Sequence, residues 1–165
     1  MNDISILHER VREALETSGI THFEVLPCDP ELADTAQFCS HYAISPEEAC
    51  NAIVVVLKTE PKRYVACLVR ADTKLDVNRK VSAHAGVKRL SFATAEETAT
   101  LTGMLIGGVT IPGLPPEMPI LIDNRVMERA QIVIGGGNRS SKIRLAPQEL
   151  MKLPNAGVAD IGVPR

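Results

Sequence analysis

The stretch Leu101–Asp123, LTGMLIGGVTIPGLPPEMPILID, sets the tightest limit on how this chain can fold. Four glycines and four prolines fall within it, yet apolar residues run throughout. Glycine admits positive φ and close backbone approach, while proline fixes φ and removes an N–H donor. Such a segment holds a shape without a regular hydrogen-bonded ladder. The pattern fits two arrangements: a long connection wrapped over the core, or one wall of a small-molecule pocket.

The flanking sequence supplies the elements this loop must join. Ile4, Leu7, Val11 and Leu15 recur at helical spacing over Asp3–Ser18, with Gly19 as the stop. Thr21–Leu26 alternates Phe23 and Val25 as a short strand, and a helix starts near Thr35. Ser45-Pro46-Glu47-Glu48 reads as the start of a short helix, with Ser45 as cap and Glu48 closing a capping box. The β-branched run Asn51–Lys58 fits a strand buried on both faces. Glu60-Pro61-Lys62 turns it into a second strand over Arg63–Val69, forming an antiparallel hairpin. Asp76 caps a helix through Ala85, Leu90–Phe92 is a brief strand, and Thr94 and Glu97 have capping-box spacing for a helix ending at Gly103. Pro119–Ile122, Gln131–Ile134 and Lys142–Leu145 read as strands and Pro147–Leu153 as a last helix. The tail 154–165 shows no periodicity and is expected to be irregular.

Irregular interleaving of strands and helices, with hairpins outnumbering strand-helix-strand units, predicts an α+β fold with a mixed sheet flanked by helices. The length of 165 residues and 45% apolar content suit one domain with a proper core. A net charge of -2 disfavours a strongly basic DNA binder, and the longest apolar run, Ala52–Leu57, is far short of the roughly 20 residues a membrane span needs. No signal-peptide pattern opens the chain, so a cytoplasmic protein without membrane or DNA partners is expected. Cys28, Cys39, Cys50 and Cys67 form no C-x-x-C pair and His8, His22, His41 and His84 are scattered, so no metal or organic cofactor is expected. Neither a P-loop nor a G-x-G-x-x-G after a strand is present.

Six segments in order carry a resemblance: ISPEEACNAIVVV at 44–56, RADTKLDVNRK at 70–80, KRLSFATAEE at 88–97, TG followed by GGVT at 102–110, ILIDNRVM at 120–127 and IVIGGGNR at 132–139. Together they resemble the YbaK/EbsC family, free-standing relatives of the editing domain inserted in bacterial prolyl-tRNA synthetases. The resemblance covers about residues 20–153 and implies a single editing domain over 1–153 with a mixed, barrel-like sheet. It also implies hydrolysis, in trans, of the ester between a wrong amino acid and tRNA, a step of translation proofreading that needs no cofactor. The expected partners are the aminoacyl-tRNA 3' end and a synthetase or tRNA-bound complex.

An aminoacyl ester is already activated, so positioning its carbonyl and stabilising the oxyanion supply much of the rate. By resemblance, Gly107, Gly108, Thr110 and Pro112 form the loop that holds the terminal adenosine and the aminoacyl carbonyl, with Gly108 in the catalytic role. Gly135, Gly136 and Gly137 face it across the pocket. Without the resemblance, the triple glycine reads as a bulge or tight strand end.

Three departures stand out. The family places a lysine just before the central apolar strand, and here Asn51 occupies that position. An amide offers neutral hydrogen bonds where an ammonium would anchor negative charge. Lys58 is seven strand steps away, roughly 23 Å, and on the opposite face. Gly135 stands where relatives commonly carry serine, and proline in Thr110-Ile111-Pro112 comes one place later than in the commoner order. Two functions remain open: a deacylase working without the lysine, or a non-catalytic tRNA- or ligand-binding member of the family. Two basic groups could contact phosphates: Arg70, Lys74, Arg79, Lys80, Lys88 and Arg89, and Arg125, Arg129, Arg139, Lys142 and Arg144.

Overall fold

Residues 2–165 are described by a computed structural model. In chain order the elements are α1 (Glu9–Thr17), β1 (Glu24–Pro27), α2 (Thr35–Tyr42), β2 (Cys50–Leu57), β3 (Arg63–Arg70) and β4 (Thr73–Leu75). There follow α3 (Ser82–Ala85), β5 (Leu90–Phe92), α4 (Ala95–Thr102), β6 (Ile120–Asp123), β7 (Ile132–Gly135), β8 (Ser141–Leu145), β9 (Ala156–Ala159) and β10 (Gly162–Pro164).

The β-branched run becomes β2 and pairs with β3 as the expected hairpin, in register from Cys50↔Arg70 to Leu57↔Arg63. A five-stranded sheet of order β5-β2-β3-β6-β9 grows from it, antiparallel on the β5 side and parallel at β3–β6 and β6–β9. Successive residues of β3 point to opposite faces. Ala66 and Leu68 enter one apolar cluster with α1 and β6, while Val65, Cys67 and Val69 enter a second beneath the helical turns at 77–85. Burial on both faces is what the uninterrupted apolar pattern demands.

A three-stranded antiparallel sheet, β1-β8-β7, leans against the start of β2. The junction is the Ala49–Val133 bridge, reinforced by Val133 N–H donating to Glu48 O at 2.9 Å. A third pair, β4 with β10, completes a mixed α+β architecture, with the sheets joined in an open arrangement instead of a closed barrel.

The Thr94–Glu97 capping box forms, and Asp76 accepts from Arg79 N–H to start the turns that lead into α3. Three local expectations fail. The helix expected over Asp3–Ser18 divides into a 3-10 turn at Ile4–Ile6 and α1, which starts only at Glu9 with His8 as its cap. Ser45–Glu48 makes only a turn, because β7 captures the backbone at Glu48 and Ala49 before a helix can extend. The segment 154–165, expected to be irregular, carries β9 and β10. These strands pair with β6 and β4, partners distant in sequence that leave no local periodicity to read. Buried Asp123 fixes this tail by accepting from Ile161 N–H at 3.0 Å and Gly162 N–H at 3.1 Å.

Candidate functional site

Where the two larger sheets meet, β2 changes character. Val54–Leu57 are buried, whereas Asn51–Ile53 are only half-buried and line a pocket of about 250 Å³. The other walls are Asp34 and Thr35 at the start of α2, Ile106, Gly107 and Val109 of the glycine-proline loop, and Gly135 and Lys142 on the paired strands β7 and β8. The loop is therefore a pocket wall along 106–109. Farther on, Ile111 and Met118 are buried in the core and the loop serves as a connection.

Two cations, Arg139 in the β7–β8 turn and Lys142 on β8, hold the start of α2 to the 106–109 segment. Arg139 donates through Nε to Pro30 O at 2.9 Å, and through Nη1 to Ile106 O at 2.7 Å and Asp34 Oδ1 at 3.1 Å. Lys142 reaches from β8, donating through Nζ to Ala33 O and to Gly107 O, each at 2.7 Å. Only 6% of Lys142 is exposed, and among the described residues no carboxylate lies within ion-pair distance of its ammonium. Burial pushes its pKa below the usual lysine range, with Cys28, Arg139, Asp34 and Cys39 as the charged or titratable neighbours.

Gly107 lies on the wall with φ +92°, and a Cβ there would come within 2.1 Å of Arg139 Nη1. Gly135 also lies on the wall, pressed so closely under the loop that a Cβ would sit 2.7 Å from both Gly108 O and Val109 O. Asn51 lines the pocket and its Oδ1 accepts from the Thr35 hydroxyl.

The remaining expected residues sit behind this surface. Gly108 is buried against the Asn138 backbone, and its carbonyl accepts from Gly137 N–H at 2.7 Å. Gly136 packs on Ser141 and accepts from His8 N–H at 3.0 Å, while Gly137 packs on His8 and Val11 of the first helix. Thr110 and Pro112 are buried and not among the pocket-lining residues. His8 also belongs to this scaffold: its Nδ1 accepts from Arg10 N–H, which leaves Nε2 to donate to Gly103 O at 3.1 Å.

The second basic group does not form a surface patch. Lys142 is buried and Arg139 bridges the pocket walls. Arg125 pairs with Asp123 and Asp160, and Arg144 pairs with Glu24. Of the first group, Lys74, Arg79, Lys88 and Arg89 remain exposed, while Arg70 pairs with Asp72 and Lys80 with Asp160. Sequence reasoning missed Asp34, Thr35 and Ile106 as pocket residues and read Lys142 as a surface charge. Its one local sign was placement inside an alternating strand, next to an apolar neighbour and across from a glycine. No cluster of three or more His, Cys, Asp or Glu suited to a metal ion occurs among the described residues.

Comparison with known proteins agrees with this fold. A solved structure described as a "putative trans-editing enzyme for prolyl tRNA synthetase" superposes with a TM-score of 0.81 at 28% identity, covering 93% of this chain and 95% of that one. The crystal structure of a hypothetical protein gives a TM-score of 0.83 at 26% identity, covering 94% of this chain and all (100%) of the other. In sequence, the chain is 25% identical over 109 residues to the "Putative Cys-tRNA(Pro)/Cys-tRNA(Cys) deacylase EbsC" of Enterococcus faecalis (strain ATCC 700802 / V583). That match takes in 66% of this chain and spans 64% of the relative's length. The family model described as "Aminoacyl-tRNA editing domain" matches residues 29–153, which include every pocket-lining residue, and the chain belongs to that family.

Proposed function

We propose that this protein is a trans-acting aminoacyl-tRNA deacylase that clears mischarged tRNA in the cytoplasm. The observation that carries the reading is the pocket at the β2–β8 junction. Its volume of about 250 Å³ suits a small aminoacyl group, and its walls combine backbone carbonyls, an amide, a carboxylate and an ammonium. The editing-domain family and the deacylase name of the E. faecalis relative support the reaction class, and the prolyl-tRNA synthetase link of the superposed structure supports tRNA as partner. In this reading Asn51, Gly107 and Gly135 contact the aminoacyl end, while Gly108, Thr110, Pro112, Gly136 and Gly137 set the shape of the loop behind it.

The reaction consumes one water. Its oxygen adds to the ester carbonyl carbon, the bond to the ribose oxygen breaks, and the ribose oxygen takes a proton from that water. Free amino acid and tRNA with its terminal hydroxyl result. Because the ester is activated, orientation and electrostatic stabilisation of the tetrahedral oxyanion are the main demands.

A deacylation time course with Ala-, Cys- and Ser-tRNA species tests the reading. Release above the uncatalysed rate is expected, and it is expected to vanish in Gly108→Val, whose side chain would meet Asn138 O at 2.1 Å from Cβ onward. The neutral Asn51 favours a second reading, a family member that binds the aminoacyl end without cleaving it. Absence of release, together with retained binding of a non-hydrolysable aminoacyl-adenosine, would establish that alternative.

A further inference from the structure

We propose that Lys142 is the anion-binding group of the pocket, supplying from β8 the positive charge that residue 51 on β2 lacks, and that it takes the oxyanion formed at the substrate carbonyl. This rests on the pocket being the aminoacyl site proposed above. Three observations place the charge there. Lys142 and Asn51 line the same pocket from facing elements. An ammonium has three N–H donors, and Lys142 commits two of them to Ala33 O and Gly107 O. Around it lie the Phe38 ring, 5.2 Å from Nζ to the ring centre, the thiols of Cys28 and Cys39, the Arg139–Asp34 pair, and the pocket itself.

A buried cation without a carboxylate partner is costly, and an arriving negative charge relieves that cost. Two carbonyl hydrogen bonds hold Nζ in place before the ligand arrives. Stabilisation that needs no reorganisation is the kind that favours a transition state over a ground state. Asp34 lines the same pocket and gives it charges of both signs. An aminoacyl ester under attack carries the same two, an α-ammonium and an oxyanion. Lys142 therefore contributes little to the neutral carbonyl of the bound ester and much to the tetrahedral adduct.

The alternative role for Lys142 is purely structural, as a clamp between the segments at 33 and 107. Two uncleavable analogues separate the roles: an aminoacyl-adenosine 3'-amide, which is neutral at the reacting centre, and the matching phosphonate, which carries a tetrahedral anionic oxygen. The wild-type chain is expected to bind the phosphonate more tightly by about 10-fold to 100-fold, the range set by one charge-assisted contact to an oxyanion. Lys142→Met is expected to abolish that preference, and Lys142→Met combined with Asn51→Lys to restore it from the other strand. A clamp alone would weaken both analogues alike and leave their ratio unchanged. A wild-type chain that binds both analogues without preference, or a Lys142→Met variant that keeps the preference, overturns the assignment of Lys142 while leaving the pocket reading intact. A chain that binds neither analogue overturns both.

Discussion

Gly135 and Lys142 are directly paired across the β7–β8 ladder, and the missing side chain of the first makes room for the loop that the second holds. Cross-strand partners project to the same face of a sheet. On that face Gly108 O and Val109 O lie 2.7 Å from where a Cβ of Gly135 would be, and the Lys142 ammonium reaches Gly107 O beside them. Gly135→Ser would therefore lift the 107–109 segment. Binding of an aminoacyl-adenosine 3'-amide is expected to weaken by at least about 10-fold, equivalent to roughly 1.4 kcal/mol. Calorimetric titration of the variant against wild type reads this directly, and unchanged affinity would show that the loop accommodates the side chain.

Arg139 holds the outer end of the same loop. Its guanidinium joins Pro30 O, Asp34 and Ile106 O, while Leu105 and Ile106 beside it are 60% and 54% exposed. This staple ties an apolar, solvent-facing tip to the pocket rim at Ile106, while Lys142 holds Gly107 and the Gly137 N–H holds Gly108 behind it. Arg139→Ala is expected to speed amide hydrogen exchange over residues 105–108 by about 10-fold or more, with exchange in β2 and β3 unchanged, since local opening and global unfolding are separate equilibria. Arg139→Lys is expected to rescue little, because a point-like ammonium cannot span three acceptors in the planar geometry of a guanidinium.

How far the sequence reveals this arrangement depends on whether each contact is local. The β2–β3 hairpin and the Thr94–Glu97 box are set by residues a few positions apart and form as expected, and the first helix forms over its Glu9–Thr17 part. Ser45–Glu48 has an equally good local signal, yet pairing with Val133, more than eighty positions away, overrides it. The site divides in the same way. Gly107, Gly135 and Asn51 line one pocket from different elements, whereas Gly136 packs on Ser141 and Gly137 on the first helix, a distinction that three consecutive glycines cannot carry. Lys142 reads as one of several surface cations because its burial depends on α2 and the 106–109 loop folding over it from both sides.

Asp123 shows how a single buried carboxylate can organise a tail that has no periodicity. It is fully buried, accepts from the backbone N–H groups of Ile161 and Gly162, and pairs with Arg125 at 3.2 Å. Removing it leaves two buried N–H donors without their acceptor and Arg125 with Asp160 as its remaining carboxylate. Asp123→Ala is expected to cost roughly 3–5 kcal/mol, the scale of a broken buried charge network. Urea unfolding measures the loss, and Asp123→Asn, which keeps one acceptor oxygen, is expected to fall between the two. A cost below about 1 kcal/mol, the worth of an ordinary single hydrogen bond, would mean that β9 and β10 hold without this anchor.

Alkaline stability is expected to depend mainly on two buried thiols in the central hairpin. Burial pushes both Cys50 and Cys67 up to about 12 from an ordinary value of 9.0, with Arg70 opposing the rise at Cys50 and Asp72 and Asp123 adding to it. The folded chain therefore keeps protons that the unfolded chain releases above pH 9. This contribution to stability is complete below pH 9 and is lost as pH rises toward 12, by at most about 1.4 kcal/mol per pH unit for each thiol. Cys28 and Cys39, also raised by burial, act in the same direction. Lys142 acts in the opposite one: its lowered pKa makes the folded chain release a proton first, so its contribution to stability rises with pH below 10.5. With four thiols against one ammonium, Tm is expected to fall steadily between pH 9 and 11. A Cys50→Ala/Cys67→Ala variant should start from a lower Tm at pH 8 but lose much less over the same interval. An equally steep decline in that variant would move the origin of the alkaline sensitivity away from the β2–β3 hairpin.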